Sequence, residues 1–469
     1  MEKAALKRSL GLWAIVGLGL GYMTPTIVFD TFGIVSEETN GLVPLAYLLA
    51  LGVMFFTAVS YGKMVQVFPS AGSAYTYAKE TIHPYLGFLV GWAALLDYLL
   101  LPLVNALIIR IYMESAFPNV SSWIWVVGYV AIVTAINVWS MNKTSNINSI
   151  LVVFEFVLIV AFLVLSFVRL SQGMGQGTIL TFEPLFHTNI EIGSILAGAT
   201  VVCFSFIGFD AITMYTEEAV DQKIMPKAIM YTVMIGGAIF FIASYFTQAL
   251  FPSVSNFKVI DDTLPEIAFK VGGQLFQIVF LSGAFAATVA SGLASHSSVS
   301  RLLYVMGRNG MLPRKIFGYV HPKFKTPARN VIIVGIISLL AIAPTLELIS
   351  SLINFGALIA FTFVNLSVIA HFVFKHKRYK TKKDILDYII MPMLGAGLTG
   401  LLWINLSTES FLVGIAWTGI GFVYLLFLTK FFTKDISSYD FGKMEDPQII
   451  GNVAEQTKVE LAEQYRGVH

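Results

Sequence analysis

Leu20-Gly21-Tyr22-Met23-Thr24-Pro25-Thr26-Ile27-Val28-Phe29-Asp30-Thr31-Phe32-Gly33 is the stretch that decides how this chain is read. It lies inside an apolar segment from about Leu10 to Val35, long enough to cross a bilayer, which takes ~20 apolar residues. Yet its middle carries Thr24-Pro25-Thr26, and Asp30 follows a turn later. Proline removes a backbone donor and clashes with the preceding turn, so the helix is expected to break near Thr24. In hydrocarbon, opened backbone is tolerated only where protein buries it or where it lines a wet cavity. A carboxylate near mid-membrane costs at least ~2.5 kcal/mol and points to function. A broken first helix with an acid beside the break is how many transporters build a site at the midplane. Taken alone, the segment also fits a proline kink packed against neighbours, with Asp30 near the far interface.

The surrounding chain favours the first reading. Of 469 residues, 56% are hydrophobic and only 12% charged, and mean hydropathy is +0.76. A soluble domain has roughly 25% charged residues, so the chain reads as a polytopic membrane protein. Its single cysteine, Cys203, excludes an internal disulfide and a cysteine-rich metal site, and its apolar surroundings suit a small buried hydrophobe. The N-terminal run MEKAALKRSLGLW has a basic start but no small-residue cleavage site, so it reads as a retained first span.

Twelve apolar segments follow one another, at about 10–35, 42–66, 86–114, 121–140, 147–169, 192–217, 229–251, 271–304, 330–345, 348–374, 387–406 and 409–432. They are too long for barrel strands and are expected to be helices. Lysine and arginine gather in alternate connections. Lys3, Lys7 and Arg8 precede segment 1, and Lys63 and Lys79 flank the loop after segment 2. Lys143 follows segment 4, and Lys223 and Lys227 follow segment 6. Dense clusters lie between segments 8 and 9 and between segments 10 and 11. The opposite connections are nearly free of positive charge, so both termini are expected to be cytoplasmic. Those clusters are explained by topology and anionic lipid, not by nucleic acid. Residues 435–469 read as a polar cytoplasmic tail after a permease-like region of residues 1–434.

Segment 6 holds a second interruption, Cys203-Phe204-Ser205-Phe206-Ile207-Gly208-Phe209-Asp210. Segments 1 and 6 occupy matching places if the first ten helices form two halves of five, and paired interruptions of that kind mark a transporter's site. Asp97 in segment 3 and Glu155 in segment 5 add two more carboxyls at membrane depth. Basic residues there are scarce, so the interior is net acidic, which suits a cationic substrate or a transported proton. For each acid singly, a structural hydrogen bond or an ion pair with Arg110 or Arg301 is the alternative. Tyr22, Tyr98 and Phe204, each tied to a break or an acid, are candidates to pack on an ammonium ion. In a chain with 38 phenylalanines, aromatic rings are also ordinary packing. Thr24, Thr26 and Ser205 would offer hydroxyls and freed backbone groups beside the breaks. No Walker loop, HExxH or GxSxG motif stands in a supporting context, so a pump or membrane enzyme is not expected, nor any cofactor.

With these residues in place the chain resembles the amino acid–polyamine–organocation superfamily of secondary carriers, and within it the bacterial putrescine importers. The resemblance rests on TPTIVFDTFGIVS (24–36), SAGSAYTYAKE (70–80), GFLVGWAALLDYLLLP (87–102), GATVVCFSFIGFDAIT (198–213), LPEIAFKVGGQLFQIVFL (264–281), ASGLASHSSVSRLLYVMGRNGMLP (290–313), FGYVHPKFKTPARNVI (317–332) and LINFGALIAFTFVNLSV (352–368). It implies an all-α, LeuT-like fold: an inverted five-plus-five repeat with broken helices 1 and 6, two peripheral helices, and alternating access around a central site. Amino-acid carriers of the superfamily bind a carboxylate on a Gly-Ser/Ala-Gly break. Thr24-Pro25-Thr26 stands there instead and makes close backbone approach harder, favouring a substrate without an α-carboxylate. Phe204 stands where related antiporters carry a gating aromatic, and Asp210 where they carry an acid tied to pH response. Glu155 stands where some proton-coupled relatives carry a lysine and where the putrescine importers tend to carry an uncharged residue, so their coupling mechanism does not transfer simply to this chain; as a carboxyl at membrane depth, Glu155 is itself a proton-coupling candidate. The resemblance thus implies a proton-coupled inner-membrane importer of putrescine or a related diamine, with a cationic amino-acid permease or a diamine/amino-acid antiporter as the alternatives. Asp97 and Asp210 are expected to meet the substrate's ammonium groups, or one ammonium and one proton.

Overall fold

The computed structural model describes residues 10–431 apart from 70–72, 140–143, 187–190, 217–218, 262, 309–311, 322–323 and 325. The expected tail, 435–469, lies outside the described residues. Each apolar run forms a helix: α1 Leu12–Asp30, α2 Val43–Val67, α3 Pro84–Ala116, α4 Ser122–Trp139, α5 Thr144–Ser171, α6 Ile192–Thr213, α7 Met225–Leu250, α8 Thr263–Arg308, α9 Ala328–Ile342, α10 Leu346–Val368, α11 Lys382–Ile404 and α12 Thr408–Leu428. Among the described residues, eleven are long and apolar enough to cross a membrane.

The ninth segment, expected as a helix over about 330–345, covers Ala328–Ile342 and is shorter than the other eleven spans. It runs as an α-helix over Ala328–Ser338 and closes in a 3₁₀ turn over Leu339–Ile342. Pro327 precedes it and Pro344 follows closely, and Arg110 from α3 donates to the carbonyls of Ala341, Ile342 and Pro344. A cation on the last carbonyls suits the negative end of the helix dipole. Segment 8 is longer than expected because it begins at Thr263, on the far side of Gly273, whose φ of 76° joins a short first piece to the main helix. A short helix not expected from the sequence, Ser73–Thr81, packs against α3 and α10 and buries Tyr77 completely.

Outward faces are apolar, as lipid contact requires. On α5, Val153 and Val157 are 64% and 56% exposed while Glu155 between them is 1% exposed. The carboxyl therefore faces the bundle and the valines face outward. The helix pairings fall in matched sets when each helix is exchanged for the one five places on. Helices α2 and α6 pair as α7 and α1 do, α3 and α10 as α8 and α5, α3 and α4 as α8 and α9, and α1 and α5 as α6 and α10. A five-helix repeat demands such a pattern. Helix α12 lies outside these sets and is tied to α3 by two tryptophans. Trp92 Nε1 donates to the Trp417 carbonyl at 3.0 Å, Trp417 Nε1 to the Trp92 carbonyl at 2.8 Å, and the rings stack with centroids 5.1 Å apart.

Candidate functional site

Both expected breaks are present, and they touch. In α1 the α-helix stops at Met23, Thr24 turns to φ 45°, and a short helix resumes over Ile27–Asp30. The opened backbone is satisfied locally: Ile27 N–H donates to the Thr24 carbonyl at 2.9 Å and Phe29 N–H to the Thr26 carbonyl at 3.0 Å. Thr263 Oγ1 of α8 donates to the Phe29 carbonyl at 2.6 Å. In α6 the helix ends at Phe206, Ile207 is extended, and Gly208 has φ 117° before a 3₁₀ turn over Ala211–Tyr215. A Cβ on Gly208 would stand 2.6 Å from the Tyr22 Cβ, so only glycine lets the second break lie against the first.

Between the breaks lies a cavity of about 30 Å³, space for one or two waters. Tyr22, Thr24, Asp30 and Phe204 line it from α1 and α6, Asn105 from α3, and Ser291 from α8. Asp30 is buried within the bundle: it is 5% exposed, and the Tyr112 Oη of α3 donates to its carboxylate, 2.9 and 3.1 Å from the two oxygens. Tyr22 Oη pairs with Ser298 Oγ of α8 at 2.8 Å. Thr26 is turned away from the cavity and donates from Oγ1 to Glu155 Oε1 at 3.1 Å, and Glu155 lies within electrostatic reach of Asp30. Ser205 also points elsewhere, bonding Tyr47 Oη at 3.1 Å, and Tyr47 in turn bonds Thr31 Oγ1 at 3.2 Å.

Asp97, Tyr98 and Asp210 form a second group outside the cavity lining. Asp97 is 3% exposed, and neither its Oδ1 nor the Tyr98 hydroxyl meets a hydrogen-bond partner among the described residues. Asp210 lies within electrostatic reach of Asp97, as do Tyr61 and Tyr98. The Gly208 N–H donates to Asp210 Oδ1 at 3.3 Å, which fixes the carboxyl to the α6 break. Gly356 of α10 lies on the Asp97 turn so closely that a Cβ would be 2.6 Å from the Ala93 carbonyl oxygen. Among the described residues no ion pair reaches Asp97, Asp210 or Glu155. Arg110 is engaged with the α9 carbonyls and, at 4.0 Å, with Glu114. It also borders a larger polar pocket of about 540 Å³ with Glu114, Lys258, Asp261 and Glu266. There burial pushes the Asp261 carboxyl up, while the Arg110 guanidinium pulls it back.

The structure therefore brings Tyr22, Thr24 and Phe204 to one cavity, and Asp97, Tyr98 and Asp210 to another cluster. Thr26 with Glu155, and Ser205 with Tyr47, form links between helices. Sequence reasoning missed Tyr112, Asn105, Ser291 and Tyr61. Each lies on an unbroken stretch of helix, where nothing local distinguishes it from packing. Among the described residues no group of three or more His, Cys, Asp or Glu side chains could hold a metal ion.

Comparison with known proteins agrees with this architecture. The amino acid permease family model matches residues 14–441. The low-affinity putrescine importer PlaP of Escherichia coli K12 is 47% identical over 440 residues, covering 94% of this chain and 97% of that protein. The methylthioribose transporter of Bacillus subtilis is 26% identical, covering 92% and 95% of the two chains. The vacuolar cationic amino acid transporter 4 of Arabidopsis thaliana is 27% identical, covering 78% of this chain and 63% of that protein. With a matching family model over nearly its whole length and two broken helices meeting at a buried cavity, the chain belongs to the amino acid permease family.

Proposed function

We propose that the protein is a secondary importer of putrescine or a related diamine, working by proton-coupled alternating access in the bacterial inner membrane with both termini in the cytoplasm. The observation that carries this reading is an acidic interior whose carboxyls meet no ion pair among the described residues. Asp97 and Asp210 are buried side by side without an ion pair, and Asp97 holds an unpartnered oxygen. A buried polar group left unmatched costs about 1–3 kcal/mol, and more when charged, so the pair is built to receive a cation or a proton. The 47% identity to a putrescine importer supports a diamine as that cation.

The geometry supports this reading. The cavity is too small for a four-carbon diamine, so the substrate is admitted by opening one side of the site and passed on by opening the other. Tyr22, Thr24 and Phe204 would close around the alkyl chain, with cation–π attraction adding about 0.5–2 kcal/mol. Thr26 and Ser205 would hold the opened helices in register. Glu155, bonded to the α1 break through Thr26, is placed to tie proton uptake to the break's conformation. An inward-negative membrane potential adds ~2.3 kcal/mol per charge per 100 mV for a dication, so electrogenic import concentrates a diamine even with weak proton coupling.

A proton-coupled cationic amino-acid permease, or a diamine/amino-acid antiporter, is the second reading, favoured by the 27% identity to a cationic amino acid transporter. Uptake of labelled putrescine into proteoliposomes, with and without an imposed proton gradient, separates them. Gradient-stimulated uptake, competed by diamines and not by lysine or arginine, is the expected result. An amino acid carried in place of putrescine would sink the diamine reading.

A further inference from the structure

Behind the cavity wall runs a chain of three hydroxyls whose direction is fixed by counting donors. Thr31 Oγ1 donates to the Ile27 carbonyl at 3.0 Å, and a threonine hydroxyl has one proton to give. Its 3.2 Å contact with Tyr47 Oη is therefore donated by the tyrosine. That uses the tyrosine's proton, so the 3.1 Å contact between Ser205 Oγ and Tyr47 Oη is donated by the serine. The order is Ser205 to Tyr47 to Thr31 to the Ile27 carbonyl, from α6 through α2 into the resumed piece of α1. Thr31 and Tyr47 are fully buried and Ser205 is 1% exposed, so no bulk water competes for these bonds.

Both ends of the chain sit at the cavity between the breaks. Ile27, which supplies the last carbonyl, lines that cavity, and so does Asp30, the residue before Thr31. Phe204, the residue before Ser205, lines it from α6. Thr31, Tyr47 and Ser205 themselves are not among its lining residues. The ring that carries the middle hydroxyl is held by packing. It lies against Phe240 of α7 with centroids 5.4 Å apart, and Phe240 meets Phe206, the residue after Ser205, at 5.3 Å.

We propose that Tyr47 is a positioning residue that sets how closely the α1 and α6 walls shut on the substrate, and thereby the length of diamine accepted. The proposal rests on the importer reading. Two hydrogen bonds in series tie the backbone beside Asp30 to the backbone beside Phe204. Walls held at a fixed spacing reject a ligand one methylene too long, and an apolar pocket discriminates one methylene by about 10–200-fold. A looser spacing narrows that discrimination. Loss of stability alone leaves it in place.

The test is competition of labelled putrescine uptake in proteoliposomes by 1,5-diaminopentane, which is one methylene longer. Wild type is expected to prefer putrescine at least about tenfold. Tyr47→Phe and Thr31→Val each break the chain at nearly constant shape, and each is expected to narrow that preference at least about threefold. Because they cut one chain, the double variant is expected to narrow it no further. Thr57→Val is the control: it deletes another buried hydroxyl of α2, one that accepts from Asn365 Nδ2 of α10 at 3.1 Å. It is expected to lower the unfolding temperature and keep the wild-type preference. An unchanged preference in Tyr47→Phe or in Thr31→Val, additive effects in the double variant, or an equal shift in Thr57→Val would overturn the proposal. So would a wild type that does not tell the two lengths apart. Should Tyr47→Phe fail to fold, Thr31→Val, which keeps the tyrosine, decides alone. A wild type that carries lysine and ignores both diamines overturns the diamine reading alone, and the same variants are then compared with lysine and ornithine, which also differ by one methylene.

Discussion

Asp30 and Asp97 are both buried carboxyls of a membrane protein, yet their surroundings are opposite. Asp30 receives one tyrosine hydroxyl shared between its two oxygens, lines a cavity and has a second acid nearby. Asp97 lines no part of that cavity, holds an orphaned oxygen and shares its burial with Asp210. The first is met in advance by a protein donor. The second has no donor on its Oδ1 among the described residues, so either a cation would balance it or a proton would neutralise it. Pre-satisfaction suits a fixed acid, and want of a partner suits one whose state depends on what else is bound.

The largest effect that could break this contrast is at Asp97 itself. Asp97→Asn is expected to reduce uptake to background while gel filtration and thermal unfolding stay those of wild type. Retained uptake would remove the Asp97–Asp210 pair from the pathway. Next comes Gly208→Ala, which places a methyl group 2.6 Å from the Tyr22 Cβ at φ 117°. Backbone strain of this kind costs about 1–3 kcal/mol, so a lower unfolding temperature and loss of transport are expected. Wild-type behaviour would mean that the two breaks do not need their close approach.

Glu155→Gln sharpens the Asp30 half of the comparison. Symport draws protons from outside, so wild-type uptake is expected to fall as external pH rises. The amide cannot take up that proton, and the variant's pH profile should flatten with putrescine binding little changed. A profile superimposable on wild type would count against coupling at Glu155. The smallest effect is expected from Thr26→Val, which deletes one neutral donor to Glu155, worth about 1 kcal/mol. It should steepen or shift the pH profile modestly and leave maximal uptake nearly intact. A pH profile unchanged by Thr26→Val would show that the hydroxyl does not tune Glu155.

How much of this was written in the sequence follows from the range of each interaction. The break at Thr24 was legible because proline acts on its own turn, and Thr24 does turn left-handed there. The approach of α6 was legible as a glycine beside aromatics and an acid, although its contact with Tyr22 was not. Asp30 read as ambiguous in depth because its burial depends on Tyr112, which lies 82 positions along the chain. Ser205 read as a cavity hydroxyl, but side-chain direction at the end of a helix is set by tertiary partners, and Tyr47 takes it. An ion pair with Arg110 was the alternative kept open for each buried acid. Arg110 instead caps α9, a contact that nothing local in residues 330–345 shows. Local covalent chemistry was readable, and the choice among distant partners was not.

The reciprocal tryptophan pair has an optical consequence. Trp92 lies five residues before Asp97 on α3, and its indole is stacked on that of Trp417 on α12. Two indoles at 5.1 Å exchange excitation, so their near-ultraviolet circular dichroism records the angle between them. Helix α12, although peripheral to the matched sets, moves with α3 or breaks this signal. The protein thus carries a label-free reporter little more than one turn from Asp97, and the chromophore is native to the chain.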